Sequence, residues 1–188
     1  MDAFSYLSVL LSIIIGLAIT QVLQGYRAML LARRRVKLFA PTIIWSVLIL
    51  VLATQSWWSS FGLTDVRVWT FGVFGLILLQ TVLLYMLAAI VLPDAGEGVI
   101  DLAVHYREHV TAFFAIMLAM LAVSVAKDLS LPHHSANPID LAGHGVFAAI
   151  SLVALRFRTE PTQLAVAIAA TAFIIGYIVI LFGRLTGG

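Results

Sequence analysis

Residues 68–92 read VWTFGVFGLILLQTVLLYMLAAIVL and contain no charged side chain. A helix rises about 1.5 Å per residue, so a run of this length crosses the roughly 30 Å hydrocarbon core of a bilayer. In lipid, the backbone satisfies its polar groups only within a helix or a closed barrel. The stretch therefore predicts a transmembrane helix.

Five further apolar runs, each bounded by charge, proline or glycine, have a similar length. Together with the first, the predicted spans are 3–31, 40–61, 68–92, 110–131, 139–157 and 162–184. Hydrophobic residues make up 62% of the chain and charged residues 11%, whereas a soluble domain carries roughly a quarter charged residues. We expect an all-α, polytopic transmembrane bundle of six helices that forms one domain over residues 1–188. The first run lacks the basic start of a cleaved signal peptide and is expected to stay as a span.

Basic residues are distributed unequally between the two predicted sides of the membrane. The side of the first, third and fifth loops carries Arg27, Arg33, Arg34, Arg35, Lys37, Arg107, Arg156 and Arg158, and the other side carries Arg67, Lys127 and Arg184. The positive-inside rule then places the odd-numbered loops in the cytoplasm and both termini outside. Trp57, Trp58 and Trp69 fall at the predicted outer boundary, where an indole ring is an interface anchor.

The first and third loops carry the clearest surface signals. Arg33, Arg34, Arg35 and Lys37 are expected to contact anionic lipid headgroups, in a manner that weakens with salt. Residues 94–109 mix apolar and charged side chains and predict a short amphipathic cytoplasmic segment between spans three and four. That segment either lies on the membrane surface or extends the fourth span.

Small residues recur at helical spacing in two spans. The two stripes are Ala115, Ala119, Ala122 and Ala126 in the fourth span, and Ala165, Ala169, Ala172 and Gly176 in the sixth. Small side chains let transmembrane helices approach closely, so both stripes are expected to be buried against neighbouring helices. An alternative is a conduit with small walls.

Ionisable and amide side chains within spans gather toward the predicted outer side. Gln55, Lys127, Asp128 and His144 lie in the outer thirds of three spans, and polar groups at that depth are costly and often functional. If these spans adjoin, the four side chains form an outward-facing polar vestibule that binds a ligand or an ion. The competing interpretation is that Lys127 snorkels to the surface beside an inexpensive interfacial Asp128.

Neighbouring polar groups refine this expectation. Lys127 and Asp128 are about 100° apart on a helix and need not pair with each other, so Asp65, Arg67 or His144 are candidate partners. The deeper Gln21 and Gln80 are expected to form hydrogen bonds between helices rather than a site.

Metal and cofactor signals are weak. His105 and His109 form an H-x-x-E-H pattern typical of inverted zinc metallopeptidases, but the sole later glutamate, Glu160, has no supporting motif, and a solvated amphipathic face is favoured. His133, His134 and His144 share a side, where a surface metal would bind weakly. The absence of cysteine excludes thiolate metal sites and cysteine nucleophiles. No cofactor is predicted, and a net charge of +2 gives no basic surface for nucleic acid.

Four segments carry a resemblance to a known family: YLSVL at 6–10, RRRV at 33–36, QSWWSSF at 55–61 and LYMLA at 84–88. In these, most distinctively in the Trp57–Trp58 pair followed by Phe61, the first half of the chain resembles small uncharacterised bacterial membrane proteins. That family has no established activity. The resemblance implies the bacterial inner (cytoplasmic) membrane.

Three functions therefore remain open at this point. The leading hypothesis is a small transport or channel module with an outward-facing vestibule. The alternative is a non-catalytic structural or interaction subunit that binds membrane lipids, a second copy or a larger membrane complex. A metal-dependent membrane enzyme built on His105 and His109 is the remote alternative.

Overall fold

The computed structural model describes residues 3–66, 69–94, 96, 98–131 and 138–181. Within them, six helices are long and apolar enough to cross a membrane, which confirms the predicted number of spans. The helices are α1 (Ala3–Leu31), α2 (Ala40–Ser59), α3 (Phe71–Ile90), α4 (Leu102–Ser130), α5 (Pro138–Arg156) and α6 (Glu160–Leu181).

Helix α2 is the most central element, since it packs against α1, α3, α4 and α6. Its Trp45 is fully buried and meets three phenylalanine rings edge to face. The centroid distances are 5.3 Å to Phe113, 5.2 Å to Phe114 and 6.4 Å to Phe147. Such edge-to-face contacts add to the packing of large rings. We call these four residues the aromatic cluster, and they fill the bundle near its middle.

Local capping explains where two of the helices begin. The Thr70 side chain accepts a hydrogen bond from the backbone N–H of Val73 at the start of α3. At the start of α4, Asp101 accepts from the N–H groups of Ala103 and Val104. These bonds satisfy amides that the first helical turn leaves unpaired. The Val104 N–H, with further help from Ala103 and Lys37, lowers the pKa of the Asp101 carboxyl below its ordinary value.

The loops after α1, α3 and α5 meet at one end of the bundle, which we call the basic end. Two-residue strands β1 (Val36–Lys37) and β2 (Ile100–Asp101) pair in parallel there. Lys37 Nζ lies 3.5 Å from Asp101 Oδ2, and Arg35 donates a 2.8 Å hydrogen bond to the Gly98 carbonyl. The opposite end, where α2 and α4 finish and α3 and α5 begin, is the cavity end.

The third loop departs from the expectation of a separate amphipathic segment. From Leu102 onward the chain is already α4, so His105 and His109 lie in its first turns. The prediction of a distinct segment is therefore wrong, and the alternative of an extended fourth span is correct. The Asp101 cap starts the helix early enough to absorb this stretch.

The expectation that both small-residue stripes are buried is wrong within the single chain. Ala115, Ala119 and Ala122 are exposed on α4, and Ala165, Ala169 and Ala172 are exposed on α6. Helix α4 instead turns its aromatic and methionine side chains inward, where Phe113 and Phe114 meet Trp45 of α2. Burial follows these larger side chains because they remove more apolar surface and fill more volume.

Candidate ligand-binding cavity

The cavity end encloses a space of about 270 Å³ lined by side chains from all six helices. The four side chains predicted to share a depth in the membrane, Gln55, Lys127, Asp128 and His144, all line it. The structure thus brings together α2, α4 and α5 at this end, as the vestibule hypothesis required. The remaining lining comes largely from apolar side chains.

The floor of the cavity is apolar and closed toward the middle of the bundle. Leu11, Ile15, Leu84 and Met120 are buried side chains at its base. Phe147 belongs both to the lining and to the aromatic cluster, so that cluster lies directly beneath the cavity. The space therefore has a polar rim and an apolar base.

Lys127 and Asp128 contact each other across the rim. Lys127 Nζ lies 3.4 Å from Asp128 Oδ1, and both side chains are half-buried, with exposures of 21% and 24%. The expectation that these neighbours need not pair is corrected, since the long lysine stem bends around the helix to its adjacent carboxylate. No other ion pair involves Lys127 among the described side chains. Asp65 and Arg67, considered as partners, lie outside the described side chains.

Two further residues of the site were missed from the sequence: Asp140 and Tyr177. The Tyr177 hydroxyl donates a hydrogen bond to Asp140 Oδ1. His144 Nδ1 lies 2.9 Å from the Asp140 carbonyl oxygen and 3.5 Å from its Oδ1. The i to i+4 spacing of Asp140 and His144 was the available signal.

An aromatic wall flanks this group. The rings of Phe147, Phe173 and Tyr177 follow one another with centroid distances of 6.1 Å at each step. Gly143 makes this possible, because a Cβ there would lie 3.0 Å from the Tyr177 ring. The wall joins the aromatic cluster below to the Asp140 carboxylate above.

The deeper amides behave as interhelical links, as expected. Gln80 Nε2 donates to Ser124 Oγ at 3.2 Å, between α3 and α4. Gln21 Nε2 donates to the Tyr85 hydroxyl at 3.1 Å, between α1 and α3. Gln55, by contrast, makes no hydrogen bond to the described part of the chain.

The expected interface anchors and lipid contacts lie on the surface. Trp57 and Trp58 are exposed near the cavity end, while Trp69 packs on a small apolar group beside it. Arg33 and Arg34 are exposed at the basic end. Arg35 and Lys37 are already engaged by the third loop.

The two α4 histidines are largely occupied with each other and with the backbone. Their rings stack at 4.3 Å. His105 Nε2 donates to the Ile90 carbonyl at 3.0 Å, and His109 Nδ1 donates to the His105 carbonyl at 2.9 Å. Glu160, the candidate third ligand, lies instead 3.4 Å from Arg107. Across the described residues, no three acidic or histidine side chains converge as a metal site would require; His133 and His134 lie outside those residues.

No protein-family model matches this sequence, and no curated protein or solved structure matches it at a significant level.

Proposed function

We propose that the protein is a small transporter that binds a solute in the cavity. The observation that carries this proposal is that side chains from all six helices line one space. A site built at the convergence of every helix responds to the movement of any of them. In many transporter folds the substrate site likewise lies between helices that belong to different parts of the fold.

The aromatic cluster favours a transporter over an open channel. Trp45 and Phe114 are fully buried directly beneath the cavity, so a solute can pass only if helices rearrange. Such alternation between two one-sided states is the general plan of secondary transport. We also propose, from the charge distribution, that the cavity end faces outward across a bacterial inner membrane.

Cysteine labelling tests alternating access without knowledge of the solute. The chain has no cysteine, so single variants report on one position each. Ser124→Cys probes the cavity interior, Ser59→Cys its mouth, and Ser151→Cys a buried site away from the lining. Each variant is reconstituted into liposomes in mixed orientations and treated from outside with impermeant thiosulfonates of either charge.

We expect Ser59→Cys to label only in molecules whose cavity end faces the reagent. We expect Ser124→Cys to label in a larger fraction of the molecules than Ser59→Cys does. Alternating access would also open the cavity interior toward the basic end, so molecules in the opposite orientation would react as well. Ser151→Cys should stay unlabelled. A plateau of Ser124→Cys at the Ser59→Cys fraction would overturn transport. Val99 is exposed at the basic end, immediately before β2. In intact cells, labelling of Ser59→Cys without labelling of Val99→Cys would support the proposed orientation.

An interaction subunit is the second candidate, and one observation favours it. The exposed positions of α4 between residues 110 and 123 all carry small side chains, namely Thr111, Ala112, Ala115, Ala119 and Ala122. Another transmembrane helix could approach such a face closely. Stoichiometric co-purification of a membrane partner, together with one-sided labelling of Ser124→Cys, would favour this function over transport.

A further inference from the structure

The charges that line the cavity do not balance. Lys127 and Asp128 neutralise each other at 3.4 Å, whereas Asp140 has no lysine or arginine beside it among the described side chains. With His144 counted as neutral, one positive and two negative groups leave the described lining with a net charge of −1. A buried or half-buried charge is costly without a counter-charge. The balance favours a cationic solute.

The unused polar atoms at this place are acceptors. Tyr177 occupies Oδ1 of Asp140, and Oδ2 accepts no hydrogen bond from the described part of the chain. The His144 Nδ1 proton is directed at a carbonyl oxygen, which can only accept, so whenever the ring is neutral its lone pair is on Nε2. An ammonium group supplies the N–H donors that both atoms lack.

The surroundings favour an organic cation over a metal ion. Phe147, Phe173 and Tyr177 line the cavity beside the Asp140 carboxylate, and aromatic faces attract cations within about 6 Å. Hard metal ions need about six to eight oxygen ligands, and the described residues offer no cluster of three. At about 270 Å³ the space is slightly smaller than an ordinary ligand pocket of about 300–1,000 Å³, so it suits a small solute.

We infer that the solute is a small amphipathic organic cation whose ammonium group binds Asp140 and whose apolar part lies against the aromatic wall. The inference rests on the proposed function and specifies its substrate class. Gln55, which has no partner in the described chain, supplies a further carbonyl acceptor at the rim.

Three probes that share one benzyl body test the sign of the charge. These are 2-phenylethylammonium, phenylacetamide and phenylacetate, and their affinities for the purified protein are measured by calorimetry at neutral pH. We expect the cation to bind at least about tenfold more tightly than the amide, the range for a hydrogen-bonded charge. Asp140→Asn should remove that preference. Asp101→Asn, a carboxylate at the basic end, is the matched control and should leave all three affinities unchanged.

The inference is overturned if phenylacetate binds most tightly, if the cation has no advantage over the amide, or if Asp140→Asn preserves that advantage. The preference is measured first on the unaltered protein, so the test stands even if Asp140→Asn fails to fold. Failure here, with two-sided labelling of Ser124→Cys intact, overturns the solute class and leaves transport standing. If Ser124→Cys labels from one side only but the cation preference is clear, transport is overturned and the binding of an organic cation stands.

Discussion

The two ends of the bundle use polar side chains in opposite ways. At the basic end, Gln163 is almost fully buried and bridges three partners, with Nε2 donating to the carbonyls of Ala154 and Phe157 and Oε1 accepting from Tyr106. At the cavity end, Gln55 lines an open space and makes no bond within the described chain. The same side chain is structural at one end and available at the other.

This difference separates rigidity from binding capacity. Paired strands and ion pairs connect the loops of the basic end directly to one another. At the cavity end the polar groups line a space instead. Two of them, the Gln55 side-chain carbonyl and Asp140 Oδ2, accept no hydrogen bond from the described part of the chain. A binding site in a transporter needs polar groups that remain available to a solute. A rigid end of the bundle needs polar groups that are bonded within the protein.

The largest expected difference between the two ends is tested by replacing each glutamine separately by leucine. Gln163→Leu removes three hydrogen bonds and leaves the Tyr106 hydroxyl and two carbonyls unpaired, so we expect a loss of about 2 kcal/mol in unfolding free energy. Gln55→Leu should change stability by less than about 0.5 kcal/mol. Unfolding in detergent, followed by circular dichroism, measures both. Equal effects would contradict the division between the two ends.

Glycine substitutions test how tightly the helices pack at two positions of the bundle. A Cβ at Gly25, toward the basic end of α1, would lie 2.7 Å from Leu92 Cβ, whereas Gly145 on α5 has open space. Overpacking costs about 1–3 kcal/mol and alanine restores up to about 1 kcal/mol of helix propensity, so Gly25→Ala should destabilise by about 1 kcal/mol. Gly145→Ala should be neutral or slightly stabilising. Thermal unfolding that ranked Gly145→Ala as the more damaging change would contradict this packing difference.

The smallest expected effect is a dependence on acid at the basic end. The folded-state pKa of Asp101 is lowered, so its contribution to stability is present above the unfolded value of about 4 and is lost as pH falls through the folded value. Asp101→Asn keeps a capping side chain but cannot titrate. Its stability should therefore fall less between pH 5 and pH 3 than that of the unaltered protein, a range of about two units chosen to bracket the ordinary carboxyl pKa. If both proteins lost the same unfolding free energy over this pH range, Asp101 would not be the source of the acid sensitivity.

Much of the fold was predictable because lipid imposes a simple length requirement. Residues 68–92 indicated a span from their apolarity alone, and α3 covers most of that run. Four of the cavity residues were also predictable, since the cost of Gln55, Lys127, Asp128 and His144 within a membrane marks them individually. Their depth along each span was enough to group them.

What the sequence could not supply was which faces meet. The spacing of Ala115, Ala119 and Ala122 defines a stripe but not its neighbour, and α4 buried its larger side chains instead. Asp140 lay at the margin of a predicted span, where a carboxylate is inexpensive, and Tyr177 stood alone in the last span. Only the adjacency of α5 and α6 joins them.

The parallel pairing of Val36 with Ile100 has a consequence for biosynthesis. The two residues are 64 positions apart, so at about 5–20 residues per second the ribosome needs roughly 3–13 s to deliver the second strand after the first. During that interval the first loop cannot form its bonds to the third loop. The order of membrane insertion therefore makes closure of the basic end a late event that depends on the third span being in place.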